Sequence, residues 1–267
     1  MKKIVFFIYQ LIINLAKKRR FLRLNPSFDF FKRVYFYDKK TRKIFSVVID
    51  GANDNITVDQ IYTNHDYNLE NLRRFKDIKD VYQSLLMSKK TPAIIDCGGN
   101  IGLSSRYFSS EFPSSVVVCI EPDEKNIELA IKNNKDYNNV TFSRSAIGPQ
   151  DNFGMIVNPD SGGNSYQVAI SEYNKNFEIK TIASAIQLAK NLDNSALPFI
   201  IKIDIEGFES DLFSLDSEWI NDFYLIIIEL HDWMLPGTAS SRNFLREISK
   251  WDRDFVYVGE NIFSIKN

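Results

Sequence analysis

The feature that most constrains the fold of this chain is an alternation of apolar, strand-like runs with helix-like segments, which begins near residue 93. Residues 93–95 and 116–120 are short apolar runs of the kind found in strands buried on both faces of a sheet. Residues 102–112 between them predict a helix that ends at Pro113. Strands that alternate with helices imply a mostly parallel sheet with right-handed crossovers. The sequence therefore predicts an α/β fold.

The alternation continues to the C-terminus. Residues 140–147, 199–204 and 223–230 are further predicted strands. Residues 254–258 and 262–265 form a last predicted pair, which a short turn should make antiparallel. The predicted helices among these strands are a segment that has Pro122 at its first position and Ile127 and Ile131 on its inner face, residues 183–191 and residues 240–251.

The first 91 residues follow a different pattern. Residues 30–37 and 44–49 are β-rich on either side of a turn, which predicts a hairpin. Residues 51–64 are polar and predict no strand, and residues 69–86 have helical spacing. We therefore divide the chain into a basic, apolar N-terminal helix over residues 1–24, an extension of hairpin plus helix over residues 25–91, and a main domain over residues 92–267.

Charge is unevenly distributed along the chain. The net charge is -1, but residues 1–24 carry only cations, so the remainder is acidic. An acidic body argues against sequence-independent binding of nucleic acid. The cations of the N-terminal segment are Lys2, Lys3, Lys17, Lys18, Arg19, Arg20 and Arg23.

The apolar run over residues 4–16 would be about 20 Å long as a helix, which is too short to cross a bilayer. We expect a helix in the membrane interface, with the basic residues touching lipid phosphates. The alternatives are a helix packed on the protein's own core and an uncleaved signal anchor. The chain has two cysteines, Cys97 and Cys119, which fits a reducing compartment. We expect a cytoplasmic protein, peripheral on the inner face of the membrane.

A glycine-containing loop follows the first predicted strand of the main domain. It reads Asp-Cys-Gly-Gly-Asn-Ile-Gly over residues 96–102. Ligands of open α/β sheets bind outside the carboxyl ends of the strands, and Gly98 and Gly102 allow a close approach of the backbone. Glu121 ends the second strand, where a carboxylate can hold both hydroxyls of a ribose. A nicotinamide cofactor would favour Gly-x-Gly-x-x-Gly, which this loop lacks.

The spacing Asp-x-Gly-x-Asn-x-Gly resembles the first motif of class I S-adenosylmethionine-dependent methyltransferases. With four more blocks the chain resembles the FkbM family of methyltransferases from about Pro92 to its C-terminus, and Lys-Ile-Asp-Ile-Glu-Gly is the most telling piece. These blocks are Ile-Glu-Pro-Asp at 120–123, Ser-Ala-Ile-Gly at 145–148, Lys-Ile-Asp-Ile-Glu-Gly-Phe-Glu at 202–209 and Ile-Glu-Leu-His at 228–231.

The resemblance implies a Rossmann-like class I methyltransferase sheet with an antiparallel C-terminal strand pair, S-adenosylmethionine as the cofactor, and O-methylation of hydroxyls on sugars and natural products. It also implies that Asp96 and its loop face the amino-acid part of the cofactor, while Glu121 takes the ribose. The predicted cofactor-binding residues are Asp96, Gly98, Asn100, Gly102, Glu121 and Ala146.

Methyl transfer to an alcohol requires a positioned hydroxyl and a group that takes its proton. Asp204 and Glu206 alternate at the end of the fourth strand, and Glu229 and His231 alternate at the end of the fifth. If strand geometry continues, they share one crevice. The predicted catalytic residues are Asp204, Glu206 and His231, and His231 is suited to act as a base near neutral pH.

Each of these side chains has a simpler interpretation. Lys202 could only pair with a buried carboxylate, Glu206 and Glu209 could only favour a helix N-terminus, and His231 could be a hydrogen-bonded loop residue. No metal is predicted, because no ligand spacing is diagnostic of one. The alternative is magnesium or manganese held by Asp204, Glu229 and His231.

The sequence thus predicts an O-methyltransferase that acts on a hydroxyl, with a sugar of a surface glycan or glycolipid precursor as the expected acceptor. The alternatives are another small hydroxylated metabolite as acceptor, or a catalytically silent binding module, which the retained Asp96 and Glu121 disfavour. An RNA methyltransferase is disfavoured because residues 204–207 read Asp-Ile-Glu-Gly instead of an Asn/Asp-Pro-Pro-aromatic motif. The acceptor position, the oligomeric state and the base stay open.

Overall fold

The computed structural model describes Val5 and residues 19–25, 32–157, 168–170, 176–215, 217–234 and 236–267. The predicted N-terminal helix over residues 4–16 therefore lies, apart from Val5, outside the described residues. Within the described part of the chain, no helix has the length and apolar character needed to cross a membrane.

The elements follow one another as short strands and helices. The strands are β1 (Phe21–Arg23), β2 (Arg33–Asp38), β3 (Lys43–Val48), β4 (Thr91–Cys97), β5 (Val116–Ile120), β6 (Val140–Ser143), β7 (Ser145–Ile147), β8 (Asn152–Ile156), β9 (Val168–Ile170), β10 (Phe177–Lys180), β11 (Ala196–Ile203), β12 (Leu225–Glu229), β13 (Arg253–Val258) and β14 (Asn261–Lys266). The α-helices are α1 (Ala52–Val58), α2 (Phe75–Met87), α3 (Leu103–Glu111), α4 (Glu124–Asn133), α5 (Ile182–Leu192), α6 (Glu209–Leu212) and α7 (Arg242–Ile248).

A seven-stranded sheet forms the centre of the main domain, in the order β13-β14-β12-β11-β4-β5-β6. The five strands from β12 to β6 pair in parallel, whereas β14 pairs antiparallel with β12 and β13. This confirms the predicted mostly parallel sheet with an antiparallel C-terminal pair. The chain order reverses at β4, which has β5 on one side and β11 on the other. Ligands of such sheets bind at this switch point.

The sheet is buried on both faces because its strands are continuous apolar runs. Alternate residues of one strand enter different cores: Ile94 belongs to the core that includes residues of α2 and α3, and Ile95 belongs to the core that includes residues of α5 and α7. Every residue of β5 and β12 is buried. The carboxyl ends of the strands are consequently held by packing on two sides.

The N-terminal extension is a three-stranded antiparallel sheet, β1-β2-β3, followed by α1 and a π-helical turn over Asp59–Asn64. The β2–β3 pair confirms the predicted hairpin. Because β1 pairs with β2, the predicted boundary after residue 24 separates this strand from its own sheet. The rings of Phe21, Phe36 and Tyr62 pack together with centroid distances of 4.9–5.0 Å, and this cluster joins the extension to the main core.

Three arginines of the predicted membrane-binding segment contact the body of the protein. Arg20 lies 2.9 Å from both Asp38 and Glu111. Arg23 lies 2.8 Å from Asp59, and Arg19 donates to a backbone carbonyl. These cations are therefore committed to internal contacts.

Residues 51–64 form no strand, as predicted, and they are helical because packing against the extension overrides their polar composition. Two local predictions are corrected. The predicted helix over residues 69–86 begins only at Phe75, after a 3₁₀ turn over Leu69–Asn71. The predicted strand over residues 140–147 divides at Arg144, and its second half, β7, joins a separate four-stranded sheet in the order β7-β10-β8-β9.

The helix after Pro122 also starts later than predicted. Asp123 is its N-cap and accepts a hydrogen bond from the Asn126 amide at 2.9 Å, so Pro122 precedes the helix. Ile127 faces the core as predicted, but Ile131 is exposed. The small side chain of Ala130 takes the inner position and allows α4 to lie close to the glycine loop.

Candidate active site

A cleft of about 300 Å³ lies at the carboxyl ends of β4, β5, β11 and β12. Parallel strands deliver their ends to one edge of a sheet, so four segments distant in sequence meet here. The predicted site residues that line it are Gly98, Asn100, Glu121, Ala146, Asp204, Glu206 and His231.

The glycine loop forms one wall of the cleft. The amides of Gly98 and Gly99 both donate to the carbonyl of Ile120, at 3.0 and 2.9 Å, which ties the loop to the end of β5. Gly98 has φ +75°, and a Cβ there would come within 1.7 Å of the Asp204 carbonyl oxygen. Only glycine allows this approach, because the contact is with backbone.

Gly102 lies behind the cleft. It has φ +77°, and a Cβ there would lie 2.8 Å from Ala130 and 2.6 Å from Asn134. It therefore permits close packing between the start of α3 and helix α4. The structure thus places Gly102 in the support of the loop, and it is not among the residues that line the cleft.

Asp96 is fully buried beneath the same loop. Its Oδ2 accepts hydrogen bonds from the hydroxyls of Ser104 and Ser105, at 2.6 and 2.5 Å. Its Oδ1 lies 3.5 Å from Nζ of Lys202. Asp96 therefore does not line the cleft itself; it positions Lys202 and the first turn of α3, which lie next to the cleft.

Lys202 connects the two sides of the cleft. Its Nζ donates to the Gly98 carbonyl at 2.7 Å and lies 3.2 Å from Oδ2 of Asp204. Burial alone would lower the pKa of Lys202, but the nearby Asp204, Tyr67 and Asp96 raise it well above its ordinary value. Lys202 is therefore a cation between the loop and the reacting side, in agreement with its interpretation as a partner of buried carboxylates.

Glu121 lies at the end of β5 and is 5% exposed. Its carboxylate accepts hydrogen bonds from the Asn100 amide at 2.9 Å and the Asp123 amide at 3.0 Å. Burial nevertheless raises the pKa of Glu121 to about 7. The side-chain amide of Asn126 also donates to this carboxylate, at 3.2 Å. A carboxylate has about four acceptor positions, so capacity remains for one donor from a ligand.

These residues fit S-adenosylmethionine. The Glu121 carboxylate can accept from a ribose hydroxyl, and the loop at Gly98 presents backbone to the cleft. The side-chain oxygen of Asn100 is buried and has no hydrogen-bond partner within the described residues, so it can accept from a cofactor donor. Ala146 adds a small apolar wall.

The opposite side of the cleft is an acid–histidine cluster of Asp204, Glu206, Glu229 and His231. The His231 Nε2 atom lies 3.6 Å from Asp204 Oδ1, 3.5 Å from Glu206 Oε2 and 3.7 Å from Glu229 Oε1. The structure therefore brings the three predicted catalytic residues together, with Glu229 beside them.

Glu206 reaches the cluster by a route that differs from the prediction. Strand β11 ends at Ile203, so the alternation of residues 202, 204 and 206 does not continue as a strand. Glu206 has φ +53° and Gly207 has φ +93°. This left-handed turn bends the chain back and carries the Glu206 side chain to the cleft.

Glu209 supports His231 from behind. It begins helix α6, as its interpretation as a helix N-terminal acid predicts, but it is also fully buried and lies 2.9 Å from His231 Nδ1. Burial works to lower the pKa of His231, but the hydrogen bond to Glu209 and the charges of Glu209, Asp204 and Glu206 raise it to about 9. These contacts favour the protonated imidazole, and the role of His231 as a base near neutral pH stays a prediction.

The pKa values of Glu206 and Glu229 in the cluster are raised as well. Burial raises the pKa of Glu206, and the charge of Asp204 raises it further. Burial and Asp204 likewise raise the pKa of Glu229. Carboxylates with raised pKa values are better proton acceptors near neutral pH than ordinary ones.

No motif or spacing in the sequence indicated that the N-terminal extension would line the cleft. Ile56, Thr57, Gln60 and Tyr67 do so, from α1 and the turns after it. Their segment carries no motif and no regular apolar spacing, so only tertiary packing reveals them. Trp233, which follows the cluster in sequence, lies at the cleft and is 68% exposed.

Comparison with known proteins agrees with this site. Residues 96–257 match the family described as "Methyltransferase FkbM domain", which is more than half of the chain. The fungal protein "Methyltransferase 1" of Beauveria bassiana (strain ARSEF 2860) is 24% identical over 163 residues, or 52% of this chain. The matched stretch spans 64% of that relative's own length.

Solved structures of methyltransferases are distant from this chain. A precorrin-6y C5,15-methyltransferase from Geobacter metallireducens has a TM-score of 0.35 at 12% identity, over 71% of this chain and 86% of its own. A methyltransferase from Geobacter sulfurreducens has a TM-score of 0.36 at 16% identity, over 82% of this chain and 91% of its own. The structure of M. capricolum TrmK with S-adenosyl-homocysteine has a TM-score of 0.31 at 12% identity, over 71% of this chain and 66% of its own.

The strand order of the central sheet assigns the fold. The family match covers the glycine loop, Glu121 and the whole acid–histidine cluster. The chain belongs to the FkbM methyltransferase family, and its cofactor is S-adenosylmethionine.

Proposed function

We propose that this protein transfers a methyl group to a hydroxyl of a polyhydroxylated acceptor, a sugar of a surface glycan or glycolipid precursor. The observation that supports this most is the acid–histidine cluster on the wall of the cleft that faces the glycine loop. An alcohol must lose its proton as it is methylated, and this cluster provides carboxylates to take it.

Bound S-adenosylmethionine would supply an electrophilic methyl group on a sulfonium sulfur. As the acceptor oxygen bonded to the methyl carbon, the electron pair of the broken carbon–sulfur bond would stay on sulfur. The hydroxyl proton passes to a carboxylate of the cluster. His231, held at Nδ1 by Glu209, stays in place beside these carboxylates.

The lining of the cleft favours a sugar as acceptor. Carboxylates such as Glu206 and Glu229 accept hydrogen bonds from hydroxyl donors, and Thr57 and Gln60 add polar contacts from the extension. Trp233 presents a large exposed ring at the same cleft, on which the apolar face of a sugar ring can lie.

Isotopic methyl transfer tests the proposal. The full chain is incubated with methyl-labelled S-adenosylmethionine and a fractionated cell-envelope glycan extract. We expect label that survives saponification and appears, after acid hydrolysis, in a methylated monosaccharide. Label lost on saponification would indicate a carboxyl methyl ester, and label confined to amino groups would indicate N-methylation; either result contradicts the proposal.

We further propose that the first 18 residues bring the enzyme to an anionic membrane, where glycolipid precursors lie. Because Arg19, Arg20 and Arg23 contact the body, the cations we assign to lipid phosphates are Lys2, Lys3, Lys17 and Lys18. Replacing these four lysines with glutamine should abolish salt-sensitive sedimentation with anionic vesicles. Unchanged sedimentation would contradict this.

A further inference from the structure

The acid–histidine cluster has the donor arrangement of a cation site. One ligand atom from each of Asp204, Glu206 and His231 lies within 4.8 Å of the others. Ligand atoms that share one cation at about 2.1 Å are separated by about 3.0–3.4 Å. The observed separations of 3.5 and 3.6 Å from His231 Nε2 to the two carboxylates are only slightly wider.

A second observation concerns the histidine itself. His231 is 1% exposed, yet its Nε2 atom faces carboxylate oxygens at separations of 3.5–3.7 Å, at or beyond the length of a hydrogen bond. Its other nitrogen, Nδ1, is 2.9 Å from the fully buried Glu209. Metal-bound histidines are oriented in this way, with one ring nitrogen on a buried carboxylate and the other on the metal.

The charges give a third observation. The carboxylates of Asp204, Glu206, Glu229 and Glu209 all lie within 4 Å of one imidazole. The adjacent cation, Lys202, contacts Oδ2 of Asp204 and leaves Oδ1 facing the histidine. One imidazole and one lysine do not balance this concentration of acids in a partly buried cleft.

We propose that Asp204, Glu206 and His231 Nε2 bind a divalent cation, which replaces the proton on Nε2, with Glu229 next to it and Glu209 as the positioning residue of the histidine. The donor set of one imidazole and several carboxylates suits Mn²⁺ better than Mg²⁺, which prefers oxygen ligands alone. This proposal deepens and rests on the proposed function: the cation lies where the acceptor hydroxyl must bind, and orients it toward the methyl group.

Binding of Mn²⁺ to the full chain, followed by electron paramagnetic resonance, tests the site without any acceptor. The chelator-treated wild type should bind one Mn²⁺ and show magnetic coupling to an imidazole nitrogen. Glu209→Gln should weaken binding by about 10–100-fold, the usual effect of an outer-shell partner. His231→Ala should remove the nitrogen coupling. Glu128→Gln, an exposed acid on α4, is the matched control and should leave both unchanged.

Three results would overturn the cation site: no stoichiometric Mn²⁺ in the wild type, Mn²⁺ bound without nitrogen coupling, or equal affinity in wild type and His231→Ala. The wild-type measurement stands even if a variant fails to fold. Failure here is distinguishable from failure of the proposed function. Labelled methyl transfer that persists after chelation would contradict the role of the cation and leave the proposed function intact. Mn²⁺ binding without methyl transfer to any glycan would contradict the proposed acceptor and leave the cation site intact.

Discussion

The two walls of the cleft are built in different ways. The glycine loop and Glu121 are held mainly by backbone hydrogen bonds between the ends of the neighbouring strands β4 and β5. The acid–histidine cluster is held by contacts among side chains that come from the ends of β11 and β12 and from α6. The first wall is a local motif that sequence spacing describes, and the second is a tertiary assembly.

This difference separates binding from chemistry. A substitution in the cluster removes a charge without disturbing the backbone hydrogen bonds of the glycine loop. A substitution in the loop changes the cofactor site and, where the two walls touch, the cluster as well. They touch at Gly98, which lies against the Asp204 backbone, and at Lys202, which contacts both.

The largest effect should come from the cluster alone. Glu206→Gln, Asp204→Asn and His231→Ala should each lower turnover by about 10²–10⁴-fold, because each removes a group that takes the hydroxyl proton or holds the groups that do. Affinity for S-adenosylmethionine should stay within about threefold, because none of these side chains holds the loop. Single-turnover methyl transfer and calorimetry measure the two quantities.

Glu128→Gln is again the control, since its side chain is exposed on α4. If the three cluster variants lost cofactor affinity in proportion to turnover, the two walls would act as one unit. That result would contradict the separation of cofactor binding from chemistry.

The next largest effect should come from the point where the walls meet. Gly98→Ala places a methyl group 1.7 Å from a backbone oxygen at a φ of +75°. Overpacking and the left-handed backbone together should lower the free energy of unfolding by about 2–4 kcal/mol. Denaturant melts measure this loss.

Gly237→Ala is the matched control for that variant. Gly237 has φ +85° but nothing within 4 Å of the added Cβ. It should cost only the backbone strain of about 1–2 kcal/mol. Equal losses in the two variants would show that the contact between loop and Asp204 has no importance for stability.

Sequence spacing predicted the first wall well because its parts are close in sequence. The strand, the loop and the helix after it occupy residues 91–111, and Glu121 follows one strand later. The order of the sheet follows from the same alternation. What the spacing could not show is that Asp96 and Gly102 lie behind the cleft, because burial depends on how α3 and α4 pack.

The second wall could be predicted only in its composition. Acids at the ends of parallel strands must meet at one edge, so the sequence identified Asp204, Glu206 and His231. It did not predict the left-handed turn at Glu206, nor the contact of Glu209 with His231, because both depend on where β11 ends. The contribution of α1 to the cleft was missed because polar residues 51–64 fold through packing on the extension.

A smaller effect should come from the first wall alone. Glu121→Ala removes a carboxylate that we expect to accept from a ribose hydroxyl. Affinity for S-adenosylmethionine should fall by about 1.5–3 kcal/mol, the value of a charge-assisted hydrogen bond. Turnover at saturating cofactor should fall much less. Calorimetry that finds unchanged affinity would contradict the ribose assignment.

The smallest effect should be a pH dependence of that same contact. Burial raises the pKa of Glu121 to about 7, so its carboxylate is mostly ionised at about pH 8 and mostly protonated at about pH 6. The ionised form accepts a hydrogen bond from a ribose hydroxyl better than the neutral acid, and affinity should therefore fall about tenfold as the pH drops from 8 to 6. Glu121→Gln keeps the shape of the side chain but cannot titrate, so its weaker affinity should be nearly constant over this range. Calorimetry of both proteins at several pH values measures the difference. If the affinity of Glu121→Gln also changed tenfold over this pH range, a group other than Glu121 would be responsible for the pH dependence.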